Sequence, residues 1–199
     1  MKLTNSKLLR EQLKNNLRNI KFKRKLVYHE NISKTDQEVT DTDINTVLYL
    51  SNCKDSTVAI VNKCLKIVIH GCTNCIIGVE REPTTSVVEL VNCQNVILAV
   101  SPKIEIRTVQ VDKSDKILVN YRTKIPETAI YVSQTTHLYV GNRTIGQHTV
   151  VYPKLSLEQA LHAVGNVTQQ YLVTFDAKTG KALTFRIARG RNGSISVVK

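Results

Sequence analysis

Residues 47–79 read VLYLSNCKDSTVAIVNKCLKIVIHGCTNCIIGV, and residues 86–100 follow with SVVELVNCQNVILAV. Short apolar runs are each closed by a polar turn, and the turns repeat the pattern Asn52-Cys53, Gly71-Cys72 and Asn92-Cys93. One series of run starts steps Val47, Ile67, Val87, and another steps Val58, Ile76, Val96, Ile117, Leu138. The steps are 20 and 20 residues in the first series, and 18, 20, 21 and 21 in the second. A period near 20 with two short strands in it is the signature of a solenoid, whose repeats bury their apolar side by stacking on each other. The spacing therefore predicts a mainly β chain organised around a parallel β-helix with about 20 residues per coil, centred on Val47 to Val140.

Outward from that stretch the rhythm changes. Residues 3–20 place Leu9, Leu13, Leu17 and Ile20 on one helical stripe, with Lys7, Arg10, Lys14 and Arg18 on other faces. This is expected to be an amphipathic helix, packed on the solenoid end or docked on a partner or membrane surface. KFKRK at 21–25 is a cationic run, LVYH at 26–29 reads as a first strand, and residues 30–45 read as an acidic polar loop able to neutralise that run in cis. IEIRTVQV at 104–111 reads as nearly continuous strand beside a bend or bulge after Ser101. SLEQALHA at 156–163 predicts a short helix, followed by a hairpin about Lys178-Thr179-Gly180 and a second turn at RGRNG into a last strand. The organisation expected is thus a basic helical arm over 1–30, a β-helix domain over 31–152, and a short helix with a basic β-meander tail over 153–199.

Charge follows the same division. The chain has 199 residues and a net charge of +12. Residues 1–30 hold nine Lys/Arg against two acids, residues 176–199 hold six against one, and residues 31–175 hold thirteen of each. A neutral body with two basic ends suits an acidic partner: an acidic protein, nucleic acid or an anionic membrane face. The residues that would carry such binding are Lys21, Lys23, Arg24 and Lys25 at one end, and Lys178, Lys181, Arg186, Arg189 and Arg191 at the other, with Tyr171, Phe175 and Phe185 interleaved.

No long apolar span and no secretion signal are visible, which places the protein inside a cell, in the cytoplasm or the nucleus. The Asn-x-Ser/Thr triplets at Asn31, Asn142, Asn166 and Asn192 then carry no weight as glycosylation sites. Five cysteines, an odd number, are expected as free thiols. Cys72 and Cys75 form a CxxC, but no second CxxC or His pair completes four ligands, so Cys53, Cys64, Cys72 and Cys93 are read as small residues stacked at solenoid corners. His29, His70, His137, His148 and His162 are scattered, and there is no phosphate-binding loop or nucleophile motif. The expectation is no enzyme, no metal and no cofactor.

The coil text LYLSNCKDSTVAIVNKCLKIVIHGCTNCIIGV, SVVELVNCQNVILAV and TVQVDKSDKILVNY resembles the domain shared by cyclase-associated proteins, tubulin-binding cofactor C and the retinitis pigmentosa 2 protein. IPETAIYVSQTTHLYVG with VVYPKL resembles the closing strand and tyrosine-proline linker of the cofactor C branch, and the whole resemblance covers about 105 residues. It implies a right-handed β-helix and an interaction surface for a cytoskeletal protein or small GTPase. In the cyclase-associated branch the partner is monomeric actin; in the cofactor C branch an inserted arginine stimulates GTP hydrolysis by tubulin or a small GTPase. The finger position of that branch falls at Gln110 here, with Arg107 three residues before it and Lys113 three after; these three are the candidate partner-binding residues on the β-helix face. Glutamine lacks the fixed charge a finger needs, so Arg107 would have to serve in a shifted register. Three readings stand: a non-enzymatic module for an acidic cytoskeletal protein, actin first; an assembly protein whose arms hold nucleic acid or neighbouring subunits, with homo-oligomers formed through the solenoid ends; and a GTPase activator.

Overall fold

The computed structural model describes residues 24–121, 128–142, 148–150, 170–176, 182–189 and 195–198. All regular structure among them is strand. In chain order these are β1 (Lys25–Glu30), β2 (Asp36–Val39), β3 (Thr46–Ser51), β4 (Thr57–Ile60), β5 (Lys66–His70), β6 (Thr73–Val79), β7 (Val87–Val91) and β8 (Gln94–Val100). They continue with β9 (Thr108–Asp112), β10 (Asp115–Tyr121), β11 (Ala129–Ser133), β12 (Leu138–Asn142), β13 (His148–Val150), β14 (Gln170–Phe175), β15 (Ala182–Arg189) and β16 (Ile195–Val198).

Odd-numbered strands from β1 to β11 stack in parallel as one sheet, here sheet A, and even-numbered strands from β2 to β12 stack in parallel as sheet B. Each coil contributes one strand to each sheet, which is the solenoid the repeat predicts. Sheet A is extended antiparallel by β14, β15 and β16, and sheet B by β13. The strands on either side of the hairpin expected about residues 178–180, and of the second turn at RGRNG, pair antiparallel, while both turns lie outside the described residues.

The core follows from alternation. In β3 the burial runs Thr46, Leu48 and Leu50 inward, with Val47, Tyr49 and Ser51 outward. Register then stacks like on like: Leu48, Ile67, Val88, Val109 and Ile130 form one inward row of sheet A, and all are fully buried. Ile60, Val79, Val100 and Tyr121 form one inward row of sheet B. At roughly 25 cal/mol per Å² of apolar surface, such side chains contribute about 1.5–3 kcal/mol each, so the rows fix the register.

The structure corrects the expectations in three places. Lys25–Glu30 already pairs in parallel with β3, so the boundary expected at residue 30 falls inside the first described coil. Residues 30–45 are not simply a loop: β2 lies within them and pairs in parallel with β4. The segment 104–111 is strand only from Thr108; Ile106 before it is buried in the return loop, which accounts for the apolar spacing without a strand. The expected helices at 3–20 and 156–163 lie outside the described residues.

Candidate protein-binding face

The corner that carries the chain from sheet A to sheet B is the same in each coil. Asn31, Asn52, Gly71, Asn92, Lys113 and Gln134 each adopt positive φ, and Lys34, Asp55, Asn74, Asn95 and Lys116 do so three residues after the first five. Asparagine and glycine tolerate this left-handed conformation best, which explains the Asn-Cys signature. The next residue after each of the first set points inward: Ile32, Cys53, Cys72, Cys93, Ser114 and Thr135 are all buried. Their thiols and hydroxyls share one role. Cys53, Cys72 and Cys93 donate to the carbonyls of Ser51, His70 and Val91 at 3.7, 3.6 and 3.4 Å, and Ser114 and Thr135 donate to Asp112 and Ser133 at 2.8 and 3.0 Å.

The CxxC is therefore two structural positions: Cys72 stacks in the corner ladder, and Cys75 lies in β6 opposite Val96. All five cysteines are free and buried. Burial pushes the Cys64 thiol up to about 11, and hydrogen bonding to Cys72 with burial raises Cys53 as well. Buried, protonated thiols are poor nucleophiles and poor metal ligands. Among the described residues no group of three or more His, Cys, Asp or Glu is placed to hold a metal ion.

With the interior filled, interaction chemistry falls to the outward faces. On sheet A the register sets Tyr28, Tyr49, Val68, Glu89, Gln110 and Tyr131 in one continuous row across six strands. Tyr28 and Tyr49 stack with ring centroids 4.9 Å apart. Val47 and Lys66 flank this row on one side, and Ser51, His70, Val91, Asp112 and Ser133 on the other. Lys66 and Glu89 pair at 2.7 Å, and His70 meets the Asn92 amide at 3.2 Å. The tyrosines thus stand toward the two ends of the row, with Val68, which is only 9% exposed, Glu89 and Gln110 between them.

Of the residues expected on this face, Gln110 stands at its centre, half-buried in β9. Arg107 is exposed in the return loop just before β9, and Lys113 is exposed at the opposite corner, at φ 48°. Six residues of extended chain separate Arg107 from Lys113, about 20 Å, so the three do not converge on one point. Alternation turns Thr108, Gln110 and Asp112 outward. Arg107 is outside that register.

The basic residues are dispersed in the same way. Arg24 is exposed before β1, and Lys25 opens β1 with its ammonium donating to the Asp41 carbonyl at 3.2 Å. Arg186 is exposed in β15 between Tyr171 and Val198, and Arg189 lies opposite Ile195. These two groups sit near opposite ends of sheet A. Lys21, Lys23, Lys178, Lys181 and Arg191 lie outside the described residues.

The tyrosine row was not singled out in the sequence. Its signal is period two within the apolar runs: Tyr49 sits between Leu48 and Leu50, and Tyr131 between Ile130 and Val132. A second outward row, Ile76, Ile97, Leu118 and Tyr139, crosses sheet B beside the small residues Ala59, Gly78 and Ala99. No helix among the described residues is long and apolar enough to cross a membrane.

No curated protein sequence matches the chain. Its fold is similar to that in the crystal structure of cyclase-associated protein from Cryptosporidium parvum, with TM-score 0.55 and 18% sequence identity over 81% of this chain and 90% of that one. The family model described as adenylate cyclase associated (CAP) C terminal matches residues 9–173. That span includes all twelve strands of the parallel stack, the antiparallel strand β13, and β14 to within two residues of its end, and so the chain belongs to the C-terminal domain family of the adenylate cyclase-associated proteins.

Proposed function

We propose that this chain is a non-enzymatic module that binds an acidic cytoskeletal protein in the cytoplasm, with monomeric actin as the first partner to test. The observation that carries the reading is the outward row of sheet A: Tyr49, Val68, Gln110 and Tyr131 stand in register across a rigid parallel stack. Aromatic residues on an outward face are the usual anchors of a protein interface. An arginine finger would need a fixed cation where a phosphate could meet it, and the centre of this face carries Gln110, so a binding role fits better than GTPase activation. The basic ends, +7 over residues 1–30 and +5 over 176–199, would raise the rate of encounter with an acidic surface more than the final affinity.

The test is titration of monomeric actin with the full chain by calorimetry. Tyr49→Ala with Tyr131→Ala, and separately Gln110→Glu, are expected to weaken binding by about tenfold or more, near 1.4 kcal/mol. Charge reversal at Lys21, Lys23 and Arg24 is expected to act mainly on the association rate and its salt dependence. Wild-type chain that leaves actin unbound at about 100 μM, a few kcal/mol short of micromolar affinity, would dispose of the actin reading. Equal binding by the face variants would dispose of the face.

A further inference from the structure

Among the described residues, the first coil is an open end. β1 and β2 are the terminal strands of sheets A and B. The N–H groups of Lys25 and Asn31 donate to Asn45 and Ser51 at 3.1 and 2.9 Å, on the β3 side. The alternate residues Leu26, Tyr28 and Glu30 therefore direct their N–H and C=O groups to the open side. An uncovered strand edge is a template for unwanted pairing and has to be charged, covered or used.

Two further properties of this coil point to what covers it. It is acidic: Glu30, Asp36, Glu38, Asp41 and Asp43 are all exposed, with Lys34 as the one cation between them. It is also apolar beyond the rest of the surface. Leu26, Tyr28 and Ile44 are 53%, 54% and 55% exposed, three of the five large hydrophobic side chains that stand out among the described residues. An acidic, partly apolar surface with an open edge complements a cationic amphipathic segment.

The chain carries such a segment next to it. Residues 1–25 hold nine Lys/Arg against Glu11 alone, and Leu9, Leu13, Leu17 and Ile20 fall on one helical stripe. Ile20 precedes Lys25 by five residues, so the segment joins the open strand almost directly. Lys25 already turns to the acidic loop, where its ammonium meets the Asp41 carbonyl at 3.2 Å and the Asp41 carboxylate pairs with His29 at 2.9 Å.

We infer that residues 3–24 dock on the first coil in cis, their cations facing its acids and their leucine stripe covering its exposed apolar groups, and so close the open end of the solenoid. A tether this short holds the segment at an effective concentration in the millimolar range, which favours this end of its own chain over that of a second copy. The inference does not depend on what the sheet-A face binds.

Zero-length carbodiimide cross-linking of the full chain tests it, using an equal mixture of unlabelled and 15N-labelled protein read by peptide mass spectrometry. The expected links join Lys7, Lys14 or Lys21 to Glu30, Asp36, Glu38 or Asp43, with no mixed-isotope pairs. Two full-chain variants separate charge from shape: Asp36→Lys with Glu38→Lys, and Leu9→Ser with Leu13→Ser and Leu17→Ser. Asp36 and Glu38 are exposed, so the first variant leaves the buried Ile32 and Val39 in place, as circular dichroism would verify. Each variant is expected to speed amide exchange at Leu26, Tyr28 and Glu30 by about tenfold or more, because the docked segment slows opening of that edge. Mixed-isotope links, links confined to other parts of the chain, no links, or unchanged exchange in both variants would each overturn the inference.

Discussion

The two sides of the solenoid solve the same problem differently. At the corner from sheet A to sheet B, the first left-handed residues are Asn31, Asn52, Gly71, Asn92, Lys113 and Gln134, and the second follows three residues later wherever it occurs. The return side is less strict. Between the stacked residues Val39 and Leu48, Val79 and Val88, or Val100 and Val109 there are eight residues, but between Ile60 and Ile67 there are six. The one short step of the ladder, 19 residues from Asn52 to Gly71, therefore arises wholly in the return loop after β4. The corner is closed by side-chain hydrogen bonds to fixed carbonyls and by a filled interior, so its length cannot vary. The return loops send single residues such as Cys64 and Ile106 into the core and borrow partners for the rest, as Thr84 and Thr85 do from the Cys64 and Leu65 carbonyls at 3.2 and 2.7 Å.

The largest effect should come from changing the length of each side. One glycine inserted between Cys53 and Lys54 slips β4 by a residue, which turns the fully buried Val58 and Ile60 toward solvent. Loss of their burial alone is about 3 kcal/mol or more, and urea denaturation should show the chain unfolded or destabilised by at least that. A Gly-Ser pair inserted after Lys63 restores the return loop to the length of its neighbours and should change stability by less than about 1 kcal/mol. Equal penalties at the two sites would remove the distinction.

A smaller effect is expected from Gly71, the ladder position where asparagine is missing. Its φ is +64°, and a Cβ added there would lie 2.5 Å from the Asn52 Oδ1. Gly71→Ala is expected to cost about 1–3 kcal/mol by thermal or chemical denaturation, combining the left-handed penalty with this contact. Adding Asn52→Gly, which removes the contacting Oδ1 without placing an alanine Cβ at the left-handed position 52, should relieve the contact and leave the backbone share of about 1–2 kcal/mol.

The corner side was also the legible side. Asn-Cys and Gly-Cys turns announce it because few residues accept left-handed backbone, and because a small donor is needed just inside. The first coil escaped notice for the opposite reason. Asp36 and Glu38 face out from β2 and only Val39 and the corner residue Ile32 are buried, so the text reads as an acidic loop until its neighbour β4 is seen beside it. Ile104 and Ile106 misled in the other direction: an alternating apolar pair in a return loop can plug the interior without being strand. The candidate face on sheet A was legible only at Gln110. Its tyrosines sit inside apolar runs, and whether Tyr49 and Tyr131 point in or out depends on register, which the period alone does not set to the nearest residue.

Within the ladder, chemistry should matter less than shape. Ser114 occupies the position of Cys93 one coil on and makes the same bond to the carbonyl two residues back. Cys93→Ser is therefore expected to cost no more than about 1 kcal/mol in urea denaturation, whereas Cys93→Ala, which leaves the site without a donor and with a small void, should cost more.

The smallest effect is absent at neutral pH and separates two thiols, Cys64 of a return loop and Cys93 of the corner ladder, by the direction in which each is shifted. Cys64 lies in the return loop, where burial moves its thiol from 9.0 up to about 11. Because the folded value is raised, the unfolded chain releases this proton first, and the thiol's contribution is intact below pH 9 and lost as pH climbs toward 11. Tyr121, in sheet B, behaves likewise one step later: burial moves its phenol from 10.0 to about 12. Cys93, in the ladder, has the opposite sign, since hydrogen bonding from Cys72 holds its thiol below 9.0. Unfolding free energies measured from pH 8 to 11 should thus decline, Cys64→Ala should flatten the decline between 9 and 11, and Tyr121→Phe should act only on its alkaline end. Cys93→Ala should not flatten it, because a group whose folded pKa is depressed gains rather than loses stabilising effect as pH rises through that range. The same flattening in Cys64→Ala and Cys93→Ala would mean that these two thiols ionise alike, and that the hydrogen bond from Cys72 does not hold the Cys93 thiol down.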